Sequence, residues 1–385
     1  MRKHIFLLLL CIAIHFCCSP VVLAQERPRS VEESTRKPTG AAQNQSEDVV
    51  RVNTRVVFVD VSVKDAKTNA PLRDLSLKNF QVLDDDKPRA LTYFSREGDT
   101  RRPLSMLLFV DLWSTYGRKY IKQPAAMLRL ADALRQLAPE DEVGVMTTWV
   151  EEGDVPGVAL PKVKLVSDFT SNRQRTIAAL RDVPKLVSEQ EKLLEKIARD
   201  AGLSKWEIDL AWSLTEIAEI VMTQNAARRN RQFVVAGLID DLFALERGER
   251  RAVAEMSARA GVTFYGLVYK KSLMGKMFLG TLNQIVMRPS GGSLHAADYL
   301  AEQTGGQVIS VGRPDELASG LESIITDLAS RYSLGFSLNE NERDDDRMHQ
   351  LEVKVEAHDT QGKKRKLKVR ARRGYYMPKI SKASD

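Results

Sequence analysis

Four stretches of almost unbroken apolar sequence constrain this chain more than any other feature. Leu104–Val110 (LSMLLFV), Val143–Trp149 (VGVMTTW), Phe233–Ile239 (FVVAGLI) and Val262–Val268 (VTFYGLV) each run for seven residues. A strand with one wet face alternates apolar and polar residues; a strand covered on both faces need not. Helical periodicity separates these runs. Gln123 to Leu137 places Met127, Leu128, Leu130, Leu134 and Leu137 inward. Asn172 to Asn230 reads as helical, and its second part, Lys205 to Met222, carries Trp206, Leu210, Leu214, Ile217 and Ile220. Glu249–Ala260, Leu294–Gln303 and Pro314–Ser330 are further predicted helices. Gly305-Gly306 stops the second of these, and Pro314-Asp315-Glu316 opens the third, where acids suit the helix dipole. Val163–Val166 reads as a short strand near an edge, Val308–Ser310 as another, and Lys270–Gly292 as an irregular insertion. This alternation predicts an α/β domain over about residues 99–330, with a mainly parallel sheet flanked by helices and right-handed crossovers.

The flanks have the other period. Val57, Val59, Val61 and Val63 alternate with Phe58, Asp60 and Ser62. Phe80–Leu83 and Ala90–Phe94 flank Asp84-Asp85-Asp86-Lys87-Pro88, a hairpin signal. The three aspartates lack the further spaced oxygens of a calcium loop and read as a solvated turn. After the α/β region, Tyr332–Leu338, Leu351–Ala357 and Lys364–Arg372 read as strands. The last would offer Lys366, Lys368, Arg370 and Arg372 as a basic stripe, read here as the charged protection of an edge strand. Residues 49–98 and 331–378 are therefore expected to form one composite β-rich domain beside the α/β body, with 379–385 as a tail.

The first residues read as an export signal: Arg2 and Lys3, an apolar run from Ile5 to Ile14, then Val22-Leu23-Ala24 before Gln25. That run is shorter than the roughly 20 residues that span a bilayer. A lipid anchor at Cys17 or Cys18 is disfavoured, because Ile14-His15-Phe16 supplies no small residue ahead of them. Residues 25–48 read as a flexible polar leader. The expected location is periplasmic or secreted. Cys11, Cys17 and Cys18 are the chain's three cysteines, so processing at Ala24 leaves no disulfide, thiolate metal site or cysteine nucleophile. The formal charge of +7 becomes +5 without Arg2 and Lys3. That mild excess, with no nucleic-acid motif, predicts no nucleic-acid partner.

Ligands of open α/β sheets bind beyond the carboxyl ends of the strands, where the chain reverses direction. Two of the buried strands end in acids there: Val110 runs into Asp111, and Ile239 into Asp240-Asp241. Buried carboxylates need solvent, a partner or a cation, and hard oxygen ligands suit magnesium or calcium.

At these residues the chain resembles the von Willebrand factor A-related domain proteins known from Acidobacteria. The carrying stretches are Val59–Val63 (VDVSV), Leu75–Asp85 (LSLKNFQVLDD), Pro103–Asp111 (PLSMLLFVD), Asp168–Ser171 (DFTS), Leu300–Gly306 (LAEQTGG), Tyr332–Phe336 (YSLGF) and Val369–Tyr376 (VRARRGYY). They stand in the family's order from about Val50 to Pro378. The resemblance implies a von Willebrand factor A-like fold and a metal-ion-dependent adhesion site. Asp111 and Thr115 match its Asp-x-Ser-x-Ser motif, while Trp113 stands in place of a ligating Ser and Ser114 is out of register. Asp240 matches the later Asp, and Ser204, otherwise a helix N-cap, is the nearest equivalent of the intervening Thr. The implied cation site is thus degenerate, holding magnesium or calcium if it holds any ion.

Trp113 has two readings, an exposed aromatic anchor for a partner at the site mouth or a ring packed beneath the helical insertion. His295, His349 and His358 stand in no catalytic motif, and no Gly-rich phosphate loop is present. These features lead to a protein-binding module rather than an enzyme. A metal-independent envelope scaffold and a carboxylate-based hydrolase are the alternatives.

Overall fold

The computed structural model describes residues 55–96, 102–114, 117–155, 157–204, 214–228, 231–240, 247–269, 296–339, 341–342 and 344–377. The signal, the leader, Thr115, Trp206, Leu210, Asp241, the 270–292 insertion, His295 and the 379–385 tail lie outside them.

The apolar runs become the centre of a six-stranded sheet. Its strands are β5 (Leu104–Val110), β6 (Glu142–Glu152), β7 (Ala159–Thr170), β8 (Gln232–Ile239), β9 (Thr263–Tyr269) and β10 (Val308–Val311), in the order β10-β9-β8-β5-β6-β7. All neighbours are parallel except β7, which runs antiparallel to β6. The chain begins at β5, builds outward through β6 and β7, then returns to add β8 on the other side of β5. The reversal point therefore lies between β5 and β8.

Every residue of β5 is buried because both faces are covered. Met106, Leu108 and Val110 meet α1 (Pro124–Ala133), α2 (Arg173–Asp200) and α6 (Glu316–Ala329) through Met127, Leu180, Leu317 and their neighbours. Leu107 and Phe109 point the other way, toward Ile217 and Val221 of α3 (Leu214–Ala226) and Ala297 of α5 (Ala296–Thr304). A sixth helix, α4 (Arg247–Ala260), lies against α3 and α5. The inward row of α1 is Ala126, Met127, Leu130 and Ala131; Leu128, predicted inward, is exposed because it lies about 100° round the helix from Met127. The predicted four-residue strand at Val163 is 12 residues long. As an outer strand it alternates half-buried with exposed positions, and only its apolar middle was readable. Gly305, at φ 77°, ends α5, and Gly306 packs so closely that a Cβ there would lie 1.8 Å from the Phe264 carbonyl oxygen.

The flanks form two antiparallel four-stranded sheets. One has the order β13-β1-β11-β4, from β13 (Leu367–Arg370), β1 (Val56–Asp65), β11 (Tyr332–Ser337) and β4 (Tyr93–Ser95). The other has the order β14-β12-β2-β3, from β14 (Gly374–Tyr375), β12 (His349–Val355), β2 (Phe80–Asp84) and β3 (Lys87–Arg89). They share one core, in which Val57, Val59, Val61 and Val63 meet Val82, Leu351 and Tyr375. Asp85 and Asp86 turn the β2–β3 hairpin at φ 46° and 64°, the left-handed pair a tight two-residue turn requires. As expected, β13 is an edge strand, but Arg372 leaves the basic stripe: its guanidinium is buried and donates to the Phe58 carbonyl (2.6 Å), and burial lowers its pKa to about 10.

The opposite face of β1 joins this layer to the α/β body. Asp327 of α6 accepts from Ser62 (2.7 Å) and from the Tyr265 hydroxyl (2.6 Å). It also pairs with Lys64 (2.6 Å) and Arg331 (3.2 Å). Burial alone would raise this carboxyl; Arg331 and Lys64 overcome it and hold the group well below the usual carboxylate range.

Candidate functional site

Val110 of β5 is paired with Leu238 of β8, so the acids that follow each strand emerge at adjacent strand ends. Asp111 is anchored by its amide on the Leu238 carbonyl (3.1 Å). Its Oδ1 accepts from the Trp113 amide (3.0 Å) and from the Thr148 hydroxyl (3.1 Å), which in turn accepts from the Leu112 amide (2.8 Å). Ser114 donates to Asp240 Oδ1 (2.6 Å) and accepts from the Gly117 amide (2.6 Å). Asp111, Ser114 and Asp240 are all buried.

Burial raises the Asp111 pKa, and the neighbouring Asp240 charge adds to the rise. Against these stand the Trp113 amide and the Thr148 hydroxyl, and the result is about 7. Among the described residues no lysine or arginine pairs with Asp111. Arg118 lies close enough to favour its charged form slightly, but ion-pairs with Glu191 of α2 (3.1 Å). The Tyr269 hydroxyl is buried without a hydrogen-bond partner, as is that of Thr147. Burial, then the charges of Asp111 and Asp240, push the Tyr269 phenol well up. The Tyr269 ring occupies the space where a side chain at Gly117 would be, 1.8 Å from an added Cβ.

Thus Asp111, Ser114 and Asp240 come together. Ser114, out of register in the sequence, reaches Asp240 because the chain turns sharply after β5. Thr115 lies outside the described residues. Ser204 is exposed beyond the end of α2, unlike the three buried groups. Trp113 is buried rather than presented at the site mouth, and packs on Val150, Leu194 and Ile197. Its exposed-anchor reading gives way to packing, because α2 is long enough to cover it. Thr148 and Tyr269 were not foreseen; their signal was a hydroxyl at the carboxyl end of an apolar run.

The donor chemistry fits a hard divalent cation. Two carboxylates and a serine hydroxyl are oxygen ligands, and a dication would favour the charged form of Asp111, which burial and the neighbouring Asp240 push to about 7. A soft thiolate-seeking metal finds no ligand there.

A second cluster lies at the hairpin turn, where Asp86, Lys87 and Pro88 are exposed as expected of a solvated turn but Asp84 is not. Asp84 is buried, and the antiparallel β2–β12 pairing carries His349 to it. Ligand atoms of Asp84, Asp85 and His349 lie within 4.8 Å of one another.

No family model matches the chain, and no curated protein does. Solved structures with a similar fold include proximal thread matrix protein 1 of the mussel byssus. It is 10% identical, with a TM-score of 0.36 over 61% of this chain, and this chain spans only 50% of its length. The VWA domain of SpRpn10 is 13% identical (TM-score 0.31, 57% of this chain, 94% of that one). A von Willebrand factor type A protein from Catenulispora acidiphila is 10% identical (TM-score 0.34, 84% of this chain, 75% of that one). At such identities the likeness concerns fold alone: a six-stranded, mainly parallel von Willebrand factor A-like sheet between helices, with additional antiparallel sheets.

Proposed function

We propose that this chain is an exported partner-binding module, related to the Acidobacteria von Willebrand factor A-related proteins, that contacts its partner at the β5–β8 strand ends. The observation that carries this reading is the pair of adjacent buried carboxylates, Asp111 and Asp240, at the reversal point of the sheet, with Asp111 pushed to about 7 by burial. Asp111, Asp240 and Ser114 would hold a magnesium or calcium ion, which when bound supplies an open coordination position for a carboxylate of a protein partner. The chain's own residues prepare that position. Thr148 and the Trp113 amide fix the Asp111 carboxylate, Gly117 fixes Ser114, and the α2 cover over Trp113 limits water on one side. No catalytic step is proposed.

The test is thermal unfolding of the purified protein in EDTA, then in millimolar magnesium, calcium or manganese, beside Asp240→Ala. A cation-dependent rise in Tm that the variant loses supports the reading; a Tm indifferent to every cation overturns its metal-dependent part. One observation favours a second reading, a metal-independent envelope scaffold: Trp113 offers the site a backbone amide and no ligand oxygen. Metal indifference combined with self-association in sedimentation would select it. Export is tested by fractionating cells and sequencing the mature N-terminus, expected at Gln25.

A further inference from the structure

We propose that Asp84, Asp85 and His349 form a second cation site, separate from the sheet end, that takes a zinc-like transition-metal dication and ties the β2–β3 hairpin to β12. The argument begins with Asp84. Its Oδ2 receives the hydrogen bonds made to the carboxylate: from Arg89 Nε (2.9 Å), Arg89 Nη2 (2.6 Å) and the Tyr375 hydroxyl (3.0 Å). Its Oδ1 is buried with no hydrogen-bond partner, 3.5 Å from His349 Nδ1. A buried carboxylate oxygen left open costs stability unless something positive meets it.

The imidazole faces acids on both sides. Nδ1 lies 3.0 Å from Asp85 Oδ2, and Nε2 lies 3.2 Å from Asp345 Oδ1. A neutral ring has one N–H, which Asp345 can accept from Nε2. In that tautomer the Nδ1 lone pair faces Asp84 Oδ1 and Asp85 Oδ2, with Arg347 Nη2 as the donor beside it. Three converging acceptors call for a cation, and the Arg347 guanidinium now meets two of them, Asp85 Oδ2 and His349 Nδ1, while Asp84 Oδ1 has no hydrogen bond. With an ion at Nδ1, the same geometry becomes a metal–histidine–carboxylate relay, in which the distal N–H on a carboxylate orients the ligand ring. Ligands about 2.0–2.1 Å from a tetrahedral zinc stand roughly 3.3 Å apart, and the 3.0 and 3.5 Å separations here bracket that spacing. One nitrogen and two oxygens suit zinc better than calcium or magnesium.

The ligands are also held before any ion arrives. Asp85 Oδ1 accepts from the Gln350 amide (2.9 Å), and the Asp85 amide donates to the Gln350 carbonyl (2.9 Å). Arg347 is the resident competitor, since its Nη2 touches both Asp85 Oδ2 (2.8 Å) and His349 Nδ1 (3.3 Å). Its side chain is 55% exposed and can swing into solvent when an ion enters. Because the chain's three cysteines all precede residue 19, no disulfide can staple this sandwich, and a metal would supply the missing cross-link.

The experiment is calorimetric titration of zinc chloride into the purified metal-free protein at pH 7.5, with folding of each variant checked by circular dichroism. One equivalent is expected to bind. Affinity should fall at least tenfold in His349→Gln and in Asp85→Asn and rise in Arg347→Ala. It should remain unchanged in Asp240→Ala, which separates this site from the sheet end. Asp345→Asn, which removes no ligand, should weaken binding by about 10–100-fold. The proposal is overturned if folded wild-type protein takes up no zinc, if His349→Gln binds as tightly as wild type, or if zinc binding disappears in Asp240→Ala.

Discussion

Asp327 and Asp111 are both buried carboxylates, and their surroundings push them in opposite directions. Asp327, at the junction of β1 with α6, meets an ammonium, a guanidinium and two hydroxyls, and is held below the usual carboxylate range in spite of burial. Asp111, at the end of β5, meets one amide and one hydroxyl beside a second acid, and is pushed to about 7. Burial is common to the two; countercharge separates them. The junction is complete as it stands, and removing Asp327 would leave Lys64 and Arg331 buried without their acid. Asp111 has no paired lysine or arginine among the described residues, so an added cation or proton stabilises it. A structural acid and a binding acid can therefore be told apart by who neutralises them.

The largest expected effect is at the junction. Asp327→Ala should cost about 3–5 kcal/mol in urea unfolding at pH 7, because Lys64 and Arg331 would be left buried without their acid. A loss below about 1 kcal/mol would erase the distinction. The pH dependence should carry opposite signs in the two regions. Asp327, with a lowered folded-state pKa, contributes stability that is present above the unfolded value near 4 and lost as the pH falls below it. Asp111, with a raised folded-state pKa, contributes stability that is lost as the pH rises from about 4 through about 7. In EDTA, the stability of Asp111→Asn relative to wild type should therefore rise by about 2–3 kcal/mol between pH 5 and pH 8; a constant offset across that range would refute the assignment. Magnesium or calcium at about 100 times its dissociation constant at the strand end should stabilise wild type by roughly 2.7 kcal/mol and Asp240→Ala by nothing. The smallest effect sharpens the contrast: Ser62→Ala should cost about 1 kcal/mol by removing one of several bonds to Asp327.

What was legible in the sequence follows from locality. The parallel sheet was readable because strands covered on both faces lose their alternation, and Asp111 and Asp240 because an acid ending such a run is conspicuous. β1 was half readable. Its valines gave the period of one face, but nothing local shows that Ser62 and Lys64 on the other face meet Asp327. The signal available there was Asp327 itself, an acid beside the inward row Leu317, Leu321, Ile324 and Leu328. Asp84 and His349 were not readable as a pair, since only the register of β2 on β12 brings residues 265 positions apart together. Trp113 depended on where a 28-residue helix came to rest, which local pattern does not specify.

The position of β1 has a consequence in time. It lies between β11 and β13, strands encoded about 270–310 residues after it, so the first strand of the described fold to leave the ribosome is among the last to be paired. Until then Val57, Val59, Val61 and Val63 form an unpaired apolar strand in the nascent chain, the kind of segment that recruits copies of itself. The whole α/β body must emerge, and can collapse, before the sandwich closes over it. A chain that stops before Tyr332 would leave the earliest strand of the described fold permanently without β11 and β13.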